Sequence, residues 1–337
     1  MKRIAVVILN YNGAEMLQRF LPGVIENSEE ATVYVADNGS TDNSAEVMKS
    51  RFPDTAFIAF DGNYGFAEGY NKALAQVEEQ YVVLLNSDVK VSPHWLAPLL
   101  EFMEANPEYA ACQPKILSYR NMSEFEYAGA AGGFIDKWGY PYCRGRIFGT
   151  VETDRGQYDT IADVFWATGA ALMVRRDDYI ANGGLDARFF AHMEEIDLCW
   201  RLRSRGRKIA CVPQSYVFHI GGATLKTSNP KKTYLNFRNN LFMLYKNTPP
   251  RRLTAVMAFR RVFDNVAALK FLLCGDVKSF MAVRKARNDF KRMRAGFRQS
   301  RNENMQKTTT ISIPEMNGSC ILWQYYVGKK HKFSQLL

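Results

Sequence analysis

Tyr81-Val82-Val83-Leu84-Leu85 runs without a polar break into Asn86-Ser87-Asp88. An apolar run of this length, ended by an amide, a hydroxyl and a carboxylate, fits a strand buried on both faces of a parallel sheet. Ligands of open α/β sheets bind just beyond the carboxyl ends of such strands. Asp88 therefore stands where a ligand or its metal ion is expected. Taken alone, Ser87-Asp88 fits a turn or a helix cap equally well, and the rest of the chain has to decide.

Three earlier runs repeat the pattern. Residues 4–9 lead into Asn10-Tyr11-Asn12-Gly13, residues 32–36 into Asp37-Asn38-Gly39-Ser40-Thr41-Asp42, and residues 55–60 into Asp61-Gly62-Asn63-Tyr64-Gly65-Phe66. Helices are expected at 14–26, where Met16, Leu17, Phe20, Leu21 and Val24 share a face, from the Asp42 loop to about 50, and at 67–79. Four strand–loop–helix units in succession imply a doubly wound parallel sheet with its polar loops on one edge, as in a nucleotide site. Ser92-Pro93 reads as a helix start, and the region 109–160 as irregular. A strand over 164–174 is interrupted by Thr168-Gly169-Ala170, and a helix spans 194–205. Two short strands, 208–212 and 215–219, are expected on either side of Pro213-Gln214. Beyond Gly222 come three basic amphipathic helices at 234–247, 252–273 and 276–298, followed by a weakly patterned, partly disordered tail.

The net charge of the 337-residue chain is +10, but 17 Lys and Arg against 3 Asp lie between Pro230 and Ser300. The basicity belongs to that segment, which predicts a polyanionic surface there, membrane or nucleic acid. Six cysteines without a CxxC pair argue against a metal cage or disulfide framework and favour a reducing cytoplasm. The first apolar run ends too early for a secretory leader.

Neither G-x-G-x-x-G nor G-x-x-x-x-G-K-[ST] is present. Acids and amides at the sheet edge suit a metal-bridged diphosphate, with Mg2+ or Mn2+ taking one or two carboxylates. Glu194-Glu195-Ile196-Asp197 opens its helix, where the acids either complement the helix dipole or supply a general base. His219, before Ile220-Gly221-Gly222, is either structural or a ligand.

Together these blocks resemble the family 2 glycosyltransferases, in the rhamnosyltransferase-like branch with the GT-A fold. The resemblance rests on Val7-Ile8-Leu9-Asn10-Tyr11-Asn12-Gly13, the Asp37–Asp42 loop, Gly62-Asn63-Tyr64-Gly65-Phe66-Ala67-Glu68-Gly69-Tyr70-Asn71 and Leu84-Leu85-Asn86-Ser87-Asp88-Val89. It continues through Thr168-Gly169-Ala170, Gly184-Leu185-Asp186, Glu194-Glu195-Ile196-Asp197 and His219-Ile220-Gly221-Gly222, in order over roughly residues 4–247.

The resemblance implies a GT-A fold, an α/β Rossmann-like mixed sheet with a C-terminal helical region. Residues 1–110 would form the nucleotide-sugar half, 111–225 the acceptor half, 226–300 the basic helices and 301–337 the weakly structured tail. Asn10, Tyr11, Asn12, Asp37, Asn63, Gly65, Asn71 and Asn86 would line the donor pocket. Asp88 and His219 would bind a divalent cation, Mg2+ or Mn2+. Glu195 would be the catalytic base, with Asp197 orienting it, and Glu194 and Arg238 would face the acceptor. Two departures stand out: Asn86 replaces the first acid of the DxD motif, and Glu195 replaces the usual Asp.

The implied activity is inverting transfer from a dTDP- or UDP-linked sugar to a lipid-linked glycan in cell-surface polysaccharide synthesis. It would take place peripherally on the inner face of the cytoplasmic membrane, without nucleic acid as a partner. Two rival readings are a nucleotidyltransferase, whose glycine-rich Arg loop after the first strand is missing, and a nucleic-acid-binding protein, which leaves the acidic motifs unexplained.

Overall fold

Nine strands form one mixed sheet in the computed structural model, which describes residues 2–221 and 229–336. Gly222 lies outside the described residues. The first units are β1 (Ile4–Asn10), α1 (Ala14–Glu26), β2 (Ala31–Asp37), α2 (Ser44–Arg51), β3 (Ala56–Ala59), α3 (Gly65–Leu74) and β4 (Tyr81–Asn86). Strands β4, β1, β2 and β3 lie side by side and parallel, as the repeated units predict. Alternation sorts their side chains between two cores: Ile4, Val6 and Ile8 pack with Leu17 and Leu21 of α1, while Ala5 and Val7 join Tyr70 and Leu74 of α3.

Three short strands and two long ones extend the sheet. After β4 the chain turns at Ser87-Asp88 into β5 (Val89–Val91), α4 (Leu96–Ala105) and β6 (Tyr109–Ser118). Helix α4 begins later than Ser92-Pro93 predicts, because Ser92 Oγ donates to the Tyr216 carbonyl at 2.7 Å and does not cap a helix. The region expected to be irregular opens with a ten-residue strand, β6, and continues as β7 (Gly133–Asp136), β8 (Pro141–Cys143), β9 (Arg146–Ile147) and β10 (Thr150–Val151) in a second sheet.

Strands β11 (Ala162–Asp163) and β12 (Ala171–Arg175) precede α5 (Arg176–Ala181), α6 (Glu194–Ser204) and β13 (Lys208–His219). Strand β12 runs antiparallel between β4 and β6, which makes the sheet mixed. The two strands expected around Pro213 are one, β13, with a bulge between Val212 and Tyr216 that absorbs the proline.

Helices α7 (Pro230–Asn247), α8 (Pro250–Leu273) and α9 (Val277–Met293) follow, near the expected bounds, then α10 (Arg298–Lys307). The tail is ordered over its described residues, 301–336, contrary to the expectation. Its strand β14 (Met316–Asn317) adds to β7, and α11 (Ile321–Tyr326) begins where the Ile321 amide donates to Asp136 Oδ2 at 2.9 Å. Its weak periodicity reflects anchoring by single contacts, such as the buried Arg203–Glu315 ion pair and the Phe333 amide on Glu152 Oε1 at 3.0 Å.

Candidate active site

Parallel register brings three polar strand ends to one edge of the sheet. Asn10 pairs with Asp37 across β1–β2, and Leu9 pairs with Asn86 across β1–β4. Asp37 is buried and held by its neighbours: Asn10 Nδ2 and Ser40 Oγ donate to Oδ1 at 2.8 and 2.6 Å, and the Ser40 amide donates to Oδ2 at 3.0 Å. Oδ2 keeps a free lone pair for an incoming N–H donor. Asn10 Oδ1 is buried without a partner. Asn12, in the left-handed region at φ 51°, accepts from the Thr41 amide at 2.7 Å and so fixes the facing loop. Tyr11 stands exposed beside it.

The third loop is knitted by Asn38, a residue that sequence reasoning passed over. Its Nδ2 donates to the Gly65 carbonyl at 2.9 Å, and its Oδ1 accepts from the Tyr64 amide at 3.0 Å. Asn63 Oδ1 accepts from the Gly65 amide at 2.8 Å. Gly65 has φ +77°, and a Cβ there would meet the Phe190 ring at 2.5 Å. The Phe190 carbonyl in turn accepts from the Phe66 amide at 2.6 Å. The first amides of α3 are therefore occupied, so Gly65, expected to line the donor pocket, offers it no free N–H.

Asn71 is corrected as well. Its Nδ2 donates to the Leu185 carbonyl at 2.8 Å, while its Oδ1 accepts from the Leu185 amide at 3.0 Å and the Tyr179 hydroxyl at 2.7 Å. The amide is consumed in tying α3 to the Gly184 turn, away from any donor.

The turn after β4 delivers Asp88 to His219. Strand β5 pairs with β13 in a register that sets Val89 opposite His219, and the Ile220 amide donates to the Asp88 carbonyl at 3.1 Å. His219 Nε2 lies 3.1 Å from Asp88 Oδ1, and Asn86 Nδ2 lies 3.2 Å from the same nitrogen. On the far side, His219 Nδ1 is 3.5 Å from Glu126 Oε2, an ion-pair distance too long for a good hydrogen bond. Burial opposes charge on the imidazole, but the two carboxylates outweigh it and push its pKa up to about 10. Glu126 carried no sequence signal. It reaches the site because its own amide donates to the Ile116 carbonyl of β6, the neighbour of β13.

The second acidic cluster approaches from β12. Asn86 donates its amide to the Ala170 carbonyl at 3.0 Å, and a Cβ at Gly169 would stand 3.9 Å from Glu195 Cβ. The Thr168–Ala170 turn thus separates Glu195 from the Asn86–Asp88 turn by the width of one backbone. Glu194 and Glu195 each leave Oε2 buried and unpartnered. Burial raises Glu195 to about 7, and burial together with the Glu195 charge raises Glu194 further still. Preceding them, Phe190, His192 and Met193 all take positive φ, at 67, 71 and 72°. Three strained residues within a stretch of four persist only where surrounding contacts over-determine them.

Helix α7 supplies those contacts. Asn239 Nδ2 donates to the carbonyls of Phe189, Ala191 and His192 at 3.0, 2.8 and 2.8 Å, and Arg238 Nη2 donates to the Phe189 carbonyl at 3.0 Å. Arg238, expected to face the acceptor, is a buried brace for the loop that presents the two glutamates. Asp197 is likewise displaced from the role expected of it. It is fully buried, with Oδ2 2.7 Å from Lys246 Nζ and 3.0 Å from Arg201 Nε, and its Oδ1 accepts from Asn247 at 2.8 Å. It anchors α6 to α7 and touches no open space. Glu194, also buried, lies behind Glu195 and not at the surface.

A sheet of this order, with acids and amides along its carboxyl edge, defines a GT-A-type α/β protein. Two solved structures share the fold. GalNAc-T7, solved with UDP, GalNAc and Mn2+, superposes at a TM-score of 0.57 with 16% identity, covering 73% of this chain and 48% of the other. The mannosyltransferase PcManGT from Pyrobaculum calidifontis, solved with GDP-Man and Mn2+, gives 0.52 with 13% identity, covering 90% and 84%. The chain thus spans about half the length of the GalNAc-T7 chain. Residues 5–165, just under half of the chain, match the model of glycosyl transferase family 2, so the chain carries a family 2 glycosyltransferase domain. A relative in Mycobacterium tuberculosis, N-acetylglucosaminyl-diphospho-decaprenol L-rhamnosyltransferase, is 28% identical over 235 residues, covering 64% of this chain and 75% of its own. Neither the nucleotidyltransferase nor the nucleic-acid reading gains support.

Proposed function

We propose that the protein is an inverting glycosyltransferase that moves a sugar from a dTDP- or UDP-linked donor to a hydroxyl of a lipid-linked glycan in cell-surface polysaccharide synthesis. The observation that carries this reading is Glu195, with an unpartnered buried carboxylate oxygen and a pKa near 7, one backbone turn from Asn86 and Asp88. Oδ2 of Asp37 accepts the imide N–H of the pyrimidine, which uracil and thymine present alike. Asn10, Tyr11, Asn12 and Asn63 shape that pocket, and Asn86 faces the diphosphate.

Asp88 and His219 fit a divalent cation that completes its shell with diphosphate oxygens and water. Among the described residues no group of three or more His, Cys, Asp or Glu forms an all-protein cage, in keeping with a substrate-bridged ion. When bound there, such a cation supplies Lewis-acid stabilisation of the leaving diphosphate. Mn2+ in the two similar structures supports the assignment.

Glu195 takes the proton of the acceptor hydroxyl, the hydroxyl oxygen bonds to the anomeric carbon, and the carbon–oxygen bond to the diphosphate breaks with the electron pair going to the diphosphate. Glu195 suits this role better than Glu194 because it is only half-buried, so an acceptor can reach it. The identity of the Mycobacterium tuberculosis relative supports a lipid diphosphate on the acceptor and L-rhamnose as the first sugar to try. No described helix is long and apolar enough to cross a membrane, so access to such an acceptor is proposed from the cytoplasmic face as a peripheral protein. Calorimetry with dTDP-rhamnose, UDP-N-acetylglucosamine and UDP-galactose, with and without Mn2+, tests the reading. One donor should bind in a metal-dependent way and be transferred to a lipid-diphosphate glycan, and failure of every donor to bind sinks it.

A further inference from the structure

Helix α8 buries a charged pair and exposes an apolar stripe. Its inward stripe carries Val256, Arg260, Asp264 and Ala268, with Arg260 paired to Asp264 at 3.0 Å and Arg287 of α9 reaching the same carboxylate at 2.7 Å. Its outward stripe carries Val262, Val266, Leu269 and Leu273, at helical spacing and 58, 56, 52 and 78% exposed. A helix that faces water does the reverse. The stripe continues around the hairpin, where Leu272, Val277 and Met281 are exposed as well.

A second element joins this face. Tyr326 of α11 lies under Lys270, whose Nζ is 5.4 Å from the ring centroid, and Trp323, one helical turn before Tyr326, is 66% exposed. The patch is therefore aliphatic at its centre with an exposed tryptophan and tyrosine at its margin, the arrangement favoured at a membrane interface.

The charges around it are mostly basic, with Asp276 the acid at the hairpin tip. Arg261, Lys270, Lys278, Arg284, Lys285, Lys329 and Lys330 are solvent-facing or partly so. All three acids between Pro230 and Ser300 are engaged: Asp264 as above, Asp289 with Arg292 and the Tyr234 hydroxyl at 2.7 Å each, and Asp276 as the cap of α9, accepting from the Ser279 amide at 2.9 Å.

We infer that the α8–α9 hairpin tip, with Trp323 and Tyr326, is a membrane-docking surface that inserts Leu269, Leu273, Val277 and Met281 into the headgroup–acyl boundary of an anionic bilayer. A second copy of the chain fits less well, because pairing two such patches would press their basic rims together. The inference deepens the proposed use of a lipid-linked acceptor and differs from simple adsorption of basic helices, because the apolar tip does the holding.

The test uses full-length protein in vesicle flotation, with phosphatidylcholine alone or with about a third phosphatidylglycerol, at low salt and at about 0.5 M salt, where surface charge is screened. The wild type should float with anionic vesicles and keep a substantial bound fraction at high salt. Leu269→Asp/Leu273→Asp should cut partitioning roughly tenfold or more under both conditions. Lys270→Glu/Lys278→Glu should weaken it mainly at low salt. Circular dichroism and unchanged donor binding establish that the variants are folded. The inference is overturned if the leucine variant floats like wild type, if high salt releases the wild type completely, or if light scattering without lipid shows a dimer that the leucine variant breaks while the wild type fails to float. A wild type that fails to float yet transfers to a water-soluble acceptor overturns the docking inference alone, while intact flotation with no transfer to any acceptor counts against the glycosyltransfer reading alone.

Discussion

Asp88 Oδ1 and His219 Nε2 meet at 3.1 Å because β5 and β13 pair in a register that sets Val89 against His219. Glu126 stands on the other side of the imidazole and orients it. Outer partners of ligating histidines are worth about 10- to 100-fold in metal affinity. Glu126→Gln should lower Mn2+-dependent donor affinity by that factor and leave metal-free nucleotide binding unchanged. Calorimetry reads both, and an unaltered Mn2+ dependence would show that Glu126 has no such role.

Glu195→Gln removes the proton acceptor and keeps the shape. Transfer should fall by about 10²- to 10⁴-fold, the usual worth of a general base, with donor binding retained. Wild-type turnover in this variant would end the assignment of the base.

The pH profile follows from the same residue. Burial holds the Glu195 carboxyl at about 7, so it is largely protonated at pH 6 and ionised at pH 8. Because the base acts ionised, kcat/KM should rise with pH through about 7 and then level. The raised value has the opposite sign for folding: the folded state binds this proton more tightly than the unfolded chain, so its contribution to stability is present below the unfolded pKa and is lost as pH climbs through 7. Glu195→Gln should flatten that part of the stability curve. A flat kcat/KM profile between pH 6 and 8 would count against Glu195 as base.

Asp197 anchors and does not catalyse. Asp197→Ala would leave Arg201 a buried charge without a carboxylate and Lys246 with Asp186 alone, both nearly inaccessible. Breaking such a network by removing one partner costs about 3–5 kcal/mol. Urea denaturation should show a loss of that order, and a change below about 1 kcal/mol would show that the network is not what holds α6 to α7.

Asn71→Ala separates anchoring from donor binding in the same manner. It strands the Leu185 carbonyl and the Tyr179 hydroxyl, at about 1–3 kcal/mol for each buried group left unpaired, while the Leu185 amide keeps the Tyr179 oxygen as acceptor. Thermal unfolding should move to lower temperature, while donor affinity per folded molecule stays at the wild-type value. A selective loss of donor affinity would return Asn71 to the pocket.

Much of the donor edge was legible in the residues themselves. Apolar runs ending in Asn10, Asp37 and Asn86 mark strand ends, and parallel pairing brings such ends to one edge of the sheet. His219 and Asp88 were named on the resemblance, and their meeting is a tertiary fact. The partners of the acids were not legible: nothing local marks Glu126, Lys246 or Asn239, which act through side chains arriving from other elements.

The sequence by itself determined which segments become strands and where their polar ends lie, because periodicity and turn chemistry are local. Only the tertiary structure decided what those ends face. Antiparallel β12 sets Glu195 beside Asn86. Helix α7 takes Arg238 and Asp197 out of reach of any acceptor. The Arg260–Asp264 pair turns inward on α8 and leaves its leucines outside. Each of these depends on which residue from a distant part of the chain arrives to satisfy a charge or an amide, and burial makes that pairing obligatory without making it readable in advance.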